Sequence, residues 1–128
     1  MRNFLKVVFA AAAVTLLAVS SAATANAAAR TRAFDGIWSV SILTYSGDCD
    51  RAYRYPLRIW YGRVIKADND PNYQVAGAVA ASGAIGVTVA GGGQAATGTG
   101  RLHGNVGAGI WHTTNGRCSG RWTAQRRS

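Results

Sequence analysis

The sequence predicts an all-β domain: an antiparallel up-and-down meander of about eight short strands, closing as a small barrel or a flattened sandwich, behind an N-terminal signal peptide. Three observations carry this reading. No segment beyond Ala27 repeats apolar residues at helical spacing for three turns. Short runs with alternating faces recur instead, separated by turn residues, which is the pattern of half-buried strands. The first 27 residues stand apart, because Arg2 and Lys6 precede an apolar run from Val7 to Val19 and small residues follow as far as Ala25-Asn26-Ala27.

That apolar run is shorter than the roughly 20 residues a helix needs to cross hydrocarbon. Residues 1–27 therefore read as a cleaved leader, with cleavage after Ala27, no transmembrane span in the mature form, and a periplasmic or extracellular destination. Residues 28–35 read as a flexible N-terminus, 36–125 as one β domain and 126–128 as a polar, fraying tail.

The first strand spans Ile37 to Tyr45, with Trp38, Val40 and Ile42 on one face and Ser39 and Ser41 on the other. After a loop from Ser46 to Asp50, the second strand runs from Tyr53 to Trp60, and Tyr61-Gly62 turns it into a third, Arg63 to Lys66. In the second strand Tyr53, Tyr55, Leu57 and Ile59 share one face, while Arg54, Pro56, Arg58 and Trp60 share the other. Pro56 lacks a backbone donor and suggests an edge or bulge. Ala67 to Asn72 is a loop by composition. Tyr73 to Val79 and Ala84 to Ala90 form a hairpin around Ala81-Ser82-Gly83. Ala95 to Leu102 and Val106 to His112 form another, around His103-Gly104-Asn105. The last strand is Cys118 to Gln125.

Eight is an even number, so closure would place the first and last strands side by side and antiparallel. Cys49 and Cys118 are the only cysteines. In an oxidising compartment they read as one disulfide at that closure, with a reactive or metal-binding thiol pair as the alternative. A bridge over so long a loop stabilises by roughly 4 kcal/mol on the chain-entropy estimate. Gly-x-Trp occurs at Gly36-Ile37-Trp38, Gly109-Ile110-Trp111 and Gly120-Arg121-Trp122. Glycine at such positions lets a backbone or an indole approach closely. One residue in three from Gly77 to Gly109 is glycine. Glycine-rich strands hold register weakly, which keeps an open meander or two-layer sandwich as the alternative architecture.

The chain carries 14 Lys and Arg against five Asp and no Glu, a formal net charge of +9 that falls to +7 without the leader. Such a field favours anionic partners, and attraction that weakens with salt. Export excludes intracellular nucleic acid and leaves envelope polysaccharide, lipopolysaccharide or a protein partner. Arg51, Arg54, Arg58 and Trp60 are the candidate binding residues, on the outer face of the second strand, where arginine stacked on tryptophan would make a cation-π pair. A solvated strand face is the plainer reading of the same residues.

Chemistry has little to stand on. His103 and His112 are nine residues apart, about 30 Å along an extended chain at ~3.3 Å per residue, too far to share a site. Asp68-Asn69-Asp70-Pro71-Asn72 resembles the start of a calcium loop, but Tyr73 and Val79 stand where Gly and Glu are needed, so an Asx/Pro turn is the better reading. Asp48 and Asp50, near Arg51, read as surface ion-pair residues. No catalytic residue, cofactor or metal is assigned, and the protein reads as non-enzymatic.

The CDRAYRYPLRI stretch, the Gly62-Arg63-Val64 hairpin and the closing GRCSGRWTAQR resemble a group of small secreted bacterial β proteins of uncharacterised activity that share the CDRxYRYP block. That resemblance implies a leader and one β domain and supplies no site residues. More distantly, the strand count and the Gly-x-Trp opening are similar to calycin-type barrels, including small periplasmic inhibitors of bacterial metalloproteases, from which this chain differs in cysteine placement. The expected function is binding of a partner or an anionic envelope component. The alternatives are a periplasmic protease inhibitor and a small-ligand carrier, the last opposed by the expectation that inward Tyr, Trp and Leu fill so small a barrel.

Overall fold

The computed structural model describes residues 31–128. The expected leader and its cleavage point lie outside the described residues. Eight strands form in chain order: β1 Gly36–Ser46, β2 Ala52–Trp60, β3 Arg63–Lys66, β4 Gln74–Val79, β5 Ala84–Gly91, β6 Gln94–His103, β7 Val106–Thr113 and β8 Ser119–Arg126. Each strand pairs antiparallel with the next, and β1 pairs with β8, so the sheet is a closed barrel. The open meander is thereby set aside. Strand ends fall within one residue of those expected, because the two-residue alternation that defines a strand stops where its turn residues begin.

Alternation places Trp38, Val40, Ile42 and Thr44 inside β1, and all four are buried. β2 splits as its pattern requires from Arg54 onward: Leu57 and Ile59 are buried, Tyr55 is half-buried, and Arg54, Pro56, Arg58 and Trp60 face out, while Tyr53, expected on the inner face, is exposed at the rim. The β2–β3 turn has φ of 51° at Tyr61 and 73° at Gly62, the two positive angles of a hairpin turn that matches strand twist. The carboxylate of Asp35 accepts the backbone N–H groups of both residues, at 2.9 and 3.2 Å, and so holds Tyr61 in an unusual conformation.

Closure is held at both rims. At the upper rim, where β1 ends and β8 begins, Cys49 and Cys118 are bridged with Cα atoms 6.2 Å apart, and Cys118 is 1% exposed. At the lower rim Ile37 exchanges backbone hydrogen bonds with Arg127 and Ser128. Residues 126–128, expected to fray, thus continue the β1–β8 pairing. Thr31 to Asp35, expected to be flexible, form a turn that buries Phe34 against the core. The Phe34 carbonyl accepts the Trp38 indole N–H at 2.8 Å. The Arg126 guanidinium lies 5.2 Å from the Trp38 ring and donates to the Ala33 and Asp35 carbonyls and to Asn105, so its charge is held in a nest of acceptors.

The glycines of β6 and β7 have a spatial cause. Gly109 pairs with Trp122 across β7 and β8, and the Trp122 indole passes over it to donate to the Thr99 carbonyl of β6 at 3.2 Å. A Cβ on Gly109 would stand 2.6 Å from the indole nitrogen and collide with the Thr99 carbonyl, and one on Gly100 would stand 2.6 Å from the ring. Trp111 makes the matching move in the other direction. It pairs with Gly120 of β8 and donates across that strand to the Leu43 carbonyl of β1 at 3.0 Å. Both indoles therefore lie along the wall instead of crossing the lumen.

Two substitutions separate this packing from a general weakness of glycine in strands. Gly109→Ala is expected to destabilise by about 1–3 kcal/mol, the cost of overpacking. Gly86→Ala, on β5 with no atom within 4 Å of the added methyl, should stay within about 0.5 kcal/mol of wild type. Urea denaturation of the oxidised proteins reads both.

Candidate functional site

A cavity of about 500 Å³ occupies the lumen. The expectation of a filled interior is corrected here, and the reason is the flat seating of Trp111 and Trp122 together with the small side chains opposite them. Trp38, Leu102 and Ala124 line its floor, while Val87, Val89, Ala96 and Gly98 line the β5–β6 side. Large residues are present, but they are spent on the floor and on one wall.

The cavity opens where the barrel wall is thinnest. β3 has four residues and pairs with β4 at only two positions, Arg63↔Ala78 and Val64↔Gly77. The β2–β3 ladder starts at Leu57, so β2 from Ala52 to Pro56 has no β3 partner. Pro56, without a donor, stands where that ladder ends, the edge position its chemistry suggests. The loop from Ala67 to Tyr73 takes the place of wall, and Arg54, Pro56, Asp68 and Asp70 therefore line the opening.

Three tyrosines meet there. Tyr53 and Tyr55 stack with centroids 6.1 Å apart, and Tyr73 meets Tyr55 edge-on at 6.5 Å. The Tyr73 hydroxyl donates to the Asp68 carboxylate at 2.9 Å. Asp68 and Asp70 also accept backbone N–H groups within their own loop, from Asp70 at 3.2 Å and Asn72 at 2.9 Å, as an Asx turn requires. Lys66 donates its ammonium to the carbonyls of Asp70 and Tyr73 and lies 5.0 Å from the Tyr73 ring. It ties the loop to β3, and among the described residues neither Asp68 nor Asp70 forms an ion pair.

Burial, with the neighbouring Tyr53 and Tyr73 hydroxyls, pushes the Tyr55 phenol up to about 12. Partial burial, then the bond to Asp68 and the charges of Asp68 and Asp70, pushes Tyr73 up to about 12 as well. Tyr53 is raised by burial and by Asp50. The phenols at the opening are thus kept neutral, and that of Tyr73 donates to a carboxylate.

Of the residues expected to bind, Arg54 borders the opening from the outward face of β2, and the others lie elsewhere on the outer surface. Arg54, Arg58 and Trp60 project from β2, with the Arg58 guanidinium 5.6 Å from the Trp60 ring. Arg51 is exposed where β2 begins, and its carbonyl accepts the Thr44 N–H. Arg32, which carries no signal in the sequence, joins them from the N-terminal turn, 4.2 Å from the Tyr61 ring and 5.9 Å from that of Trp60. Trp60 and Tyr61 are each 46% exposed. Asp48 pairs with Arg117 at 3.6 Å rather than with Arg51, and both partners are too exposed for the pair to contribute much. His103 stands at the lower end of β6 and His112 near the upper end of β7.

Alkaline titration checks the tyrosine cluster. The stability that comes from neutral Tyr55 and Tyr73 is fully present below the unfolded tyrosine value near 10 and is lost as pH rises towards about 12, because the unfolded chain releases its protons first. The melting temperature of wild type is expected to fall more steeply from about pH 9 to about pH 11 than that of Tyr55→Phe/Tyr73→Phe.

With this geometry described, comparison of the chain with protein-family models, curated proteins and solved structures finds no match.

Proposed function

We propose that this is an exported, non-enzymatic barrel that takes a small apolar molecule into its lumen. The observation that carries this reading is the cavity of about 500 Å³, open at one side of the upper rim and lined mainly by aliphatic and aromatic side chains. Pockets that enclose small molecules have volumes of about 300–1,000 Å³ and are apolar with a few convergent polar groups. Here those groups are the three tyrosines and two aspartates at the opening. The disulfide is compatible with export, as is the absence of a membrane-crossing apolar helix among the described residues.

Nile red, a neutral apolar dye, is expected to bind one molecule per barrel with a blue-shifted emission. Val87→Trp, which fills the lumen from β5, should abolish that binding while leaving the far-ultraviolet spectrum of the barrel unchanged. Equal dye binding by the filled variant would count against the reading.

A second reading has its own observation. Arg54, Arg58, Arg63 and Arg121 all face outward on the β8–β1–β2–β3 side, and none of the five aspartates lies in a strand. This wall, with Trp60 and Tyr61, suits an anionic envelope component such as an acidic polysaccharide or lipopolysaccharide. The protease-inhibitor alternative rests on the calycin resemblance alone. Retention on heparin is expected to weaken as salt rises and to drop at least severalfold in Arg54→Gln/Arg58→Gln, since attraction between exposed charges is screened. Retention unchanged by those substitutions would reject the wall as the contact.

A further inference from the structure

The opening of the cavity differs in chemistry from both the lumen and the outer surface. On a protein of formal net charge +9, two of the five aspartates line this one opening, beside three tyrosine rings. Neither Asp68 nor Asp70 has a cationic side-chain partner among the described residues. The one ammonium nearby, on Lys66, is taken up by main-chain carbonyls. Arg54 also borders the opening, and it projects from the outward face of β2.

From this juxtaposition we infer that the molecule held in the lumen is a cationic amphiphile, with an apolar body on the Trp38–Leu102 floor and an ammonium head at Tyr53, Tyr55, Tyr73, Asp68 and Asp70. The inference rests on the proposal that the lumen binds an apolar molecule, and adds the charge of its head. Aromatic faces attract a cation through their quadrupole, more strongly where water is displaced, and groups of aromatic side chains are a known solution for quaternary ammonium. Lys66 already shows one such contact, its ammonium lying 5.0 Å from the Tyr73 ring. The neutral phenols add no negative charge themselves, so the carboxylates supply the long-range attraction and the rings the short-range fit. An anionic head would face Asp68 and Asp70, with the Arg54 guanidinium, on the outward face of β2, as the one cationic side chain that borders the opening to offset them.

Displacement of Nile red from the full mature protein tests this, with three amphiphiles of equal chain length used below their micelle-forming concentrations: dodecyltrimethylammonium, dodecanol and dodecyl sulfate. Dodecyltrimethylammonium is expected to displace the dye about tenfold more tightly than dodecanol, within the range open to a desolvated cation-π contact, and dodecyl sulfate less tightly than either. In Asp68→Asn/Asp70→Asn, where each Asn keeps the Oδ1 acceptor of its turn, the preference for the cation should fall at least threefold while dodecanol binds as before. Rising salt should weaken the cation and leave dodecanol unaffected, a measurement on wild type that does not depend on the variant folding. A cation no better than dodecanol, or a preference indifferent to salt, overturns the head-group inference while dye binding preserves the lumen reading. Absence of dye binding removes both.

Discussion

The girth of a closed barrel is set by strand number and stagger, so the side chains inside must fit a volume that closure imposes on them. In this protein β1 must meet β8, and the rest of the interior follows from how that is met. Tryptophans on the two strands beside the seam need somewhere to lie. Trp122 passes over Gly109 to reach Thr99, and Trp111 passes the strand at Gly120 to reach Leu43. Each indole bridges three adjacent strands by one hydrogen bond, Trp111 across the β1–β8 seam and Trp122 on the side away from it, and both contacts keep the rings out of the lumen. The cavity is a product of how closure is secured.

The same economy shapes the opening. A short β3 interrupts the wall, and Lys66 with the Asx turns of Asp68 and Asp70 stiffens the loop that replaces it. Polar groups collect at this gap because backbone that leaves a ladder must find other partners. Aspartates serve in such turns, and here their carboxylates also reach the edge of an apolar chamber. Arg58, Arg63 and Arg121 lie elsewhere, on strand faces that water can solvate, while Arg54 alone among the arginines borders the opening.

Period-two alternation was enough to place the eight strands and the two faces of β2, and an even strand count was enough to relate Cys49 to Cys118. These features are local, or follow from counting. What alternation could not convey is distance across the lumen. The glycines of β6 and β7 read as weak strand residues, because the indole that rests on two of them, that of Trp122, comes from β8, more than a dozen residues away. Tyr53 and Tyr55 were legible as inward-facing, but their meeting with Tyr73 depends on a loop standing in for wall. Phe34 and Arg32 sit in a short polar segment with no period at all, and only the turn held by Asp35 and Arg126 gives them a place. Site residues brought together from β2, a loop and β5 leave no spacing in the chain to detect.

The first described residues and the last share the lower rim, where Ile37 bonds to Arg127 and Ser128 and Arg126 reaches Ala33. The opening of the cavity lies towards the other rim. A tether, a fusion partner or a surface attachment joined at either end would therefore leave the opening clear, and the barrel can be immobilised from below with its lumen still accessible from above. The nearness of the two ends also makes the domain a candidate for circular permutation, with new ends cut in an upper-rim loop such as Thr114 to Arg117, outside the ladders that close the ring.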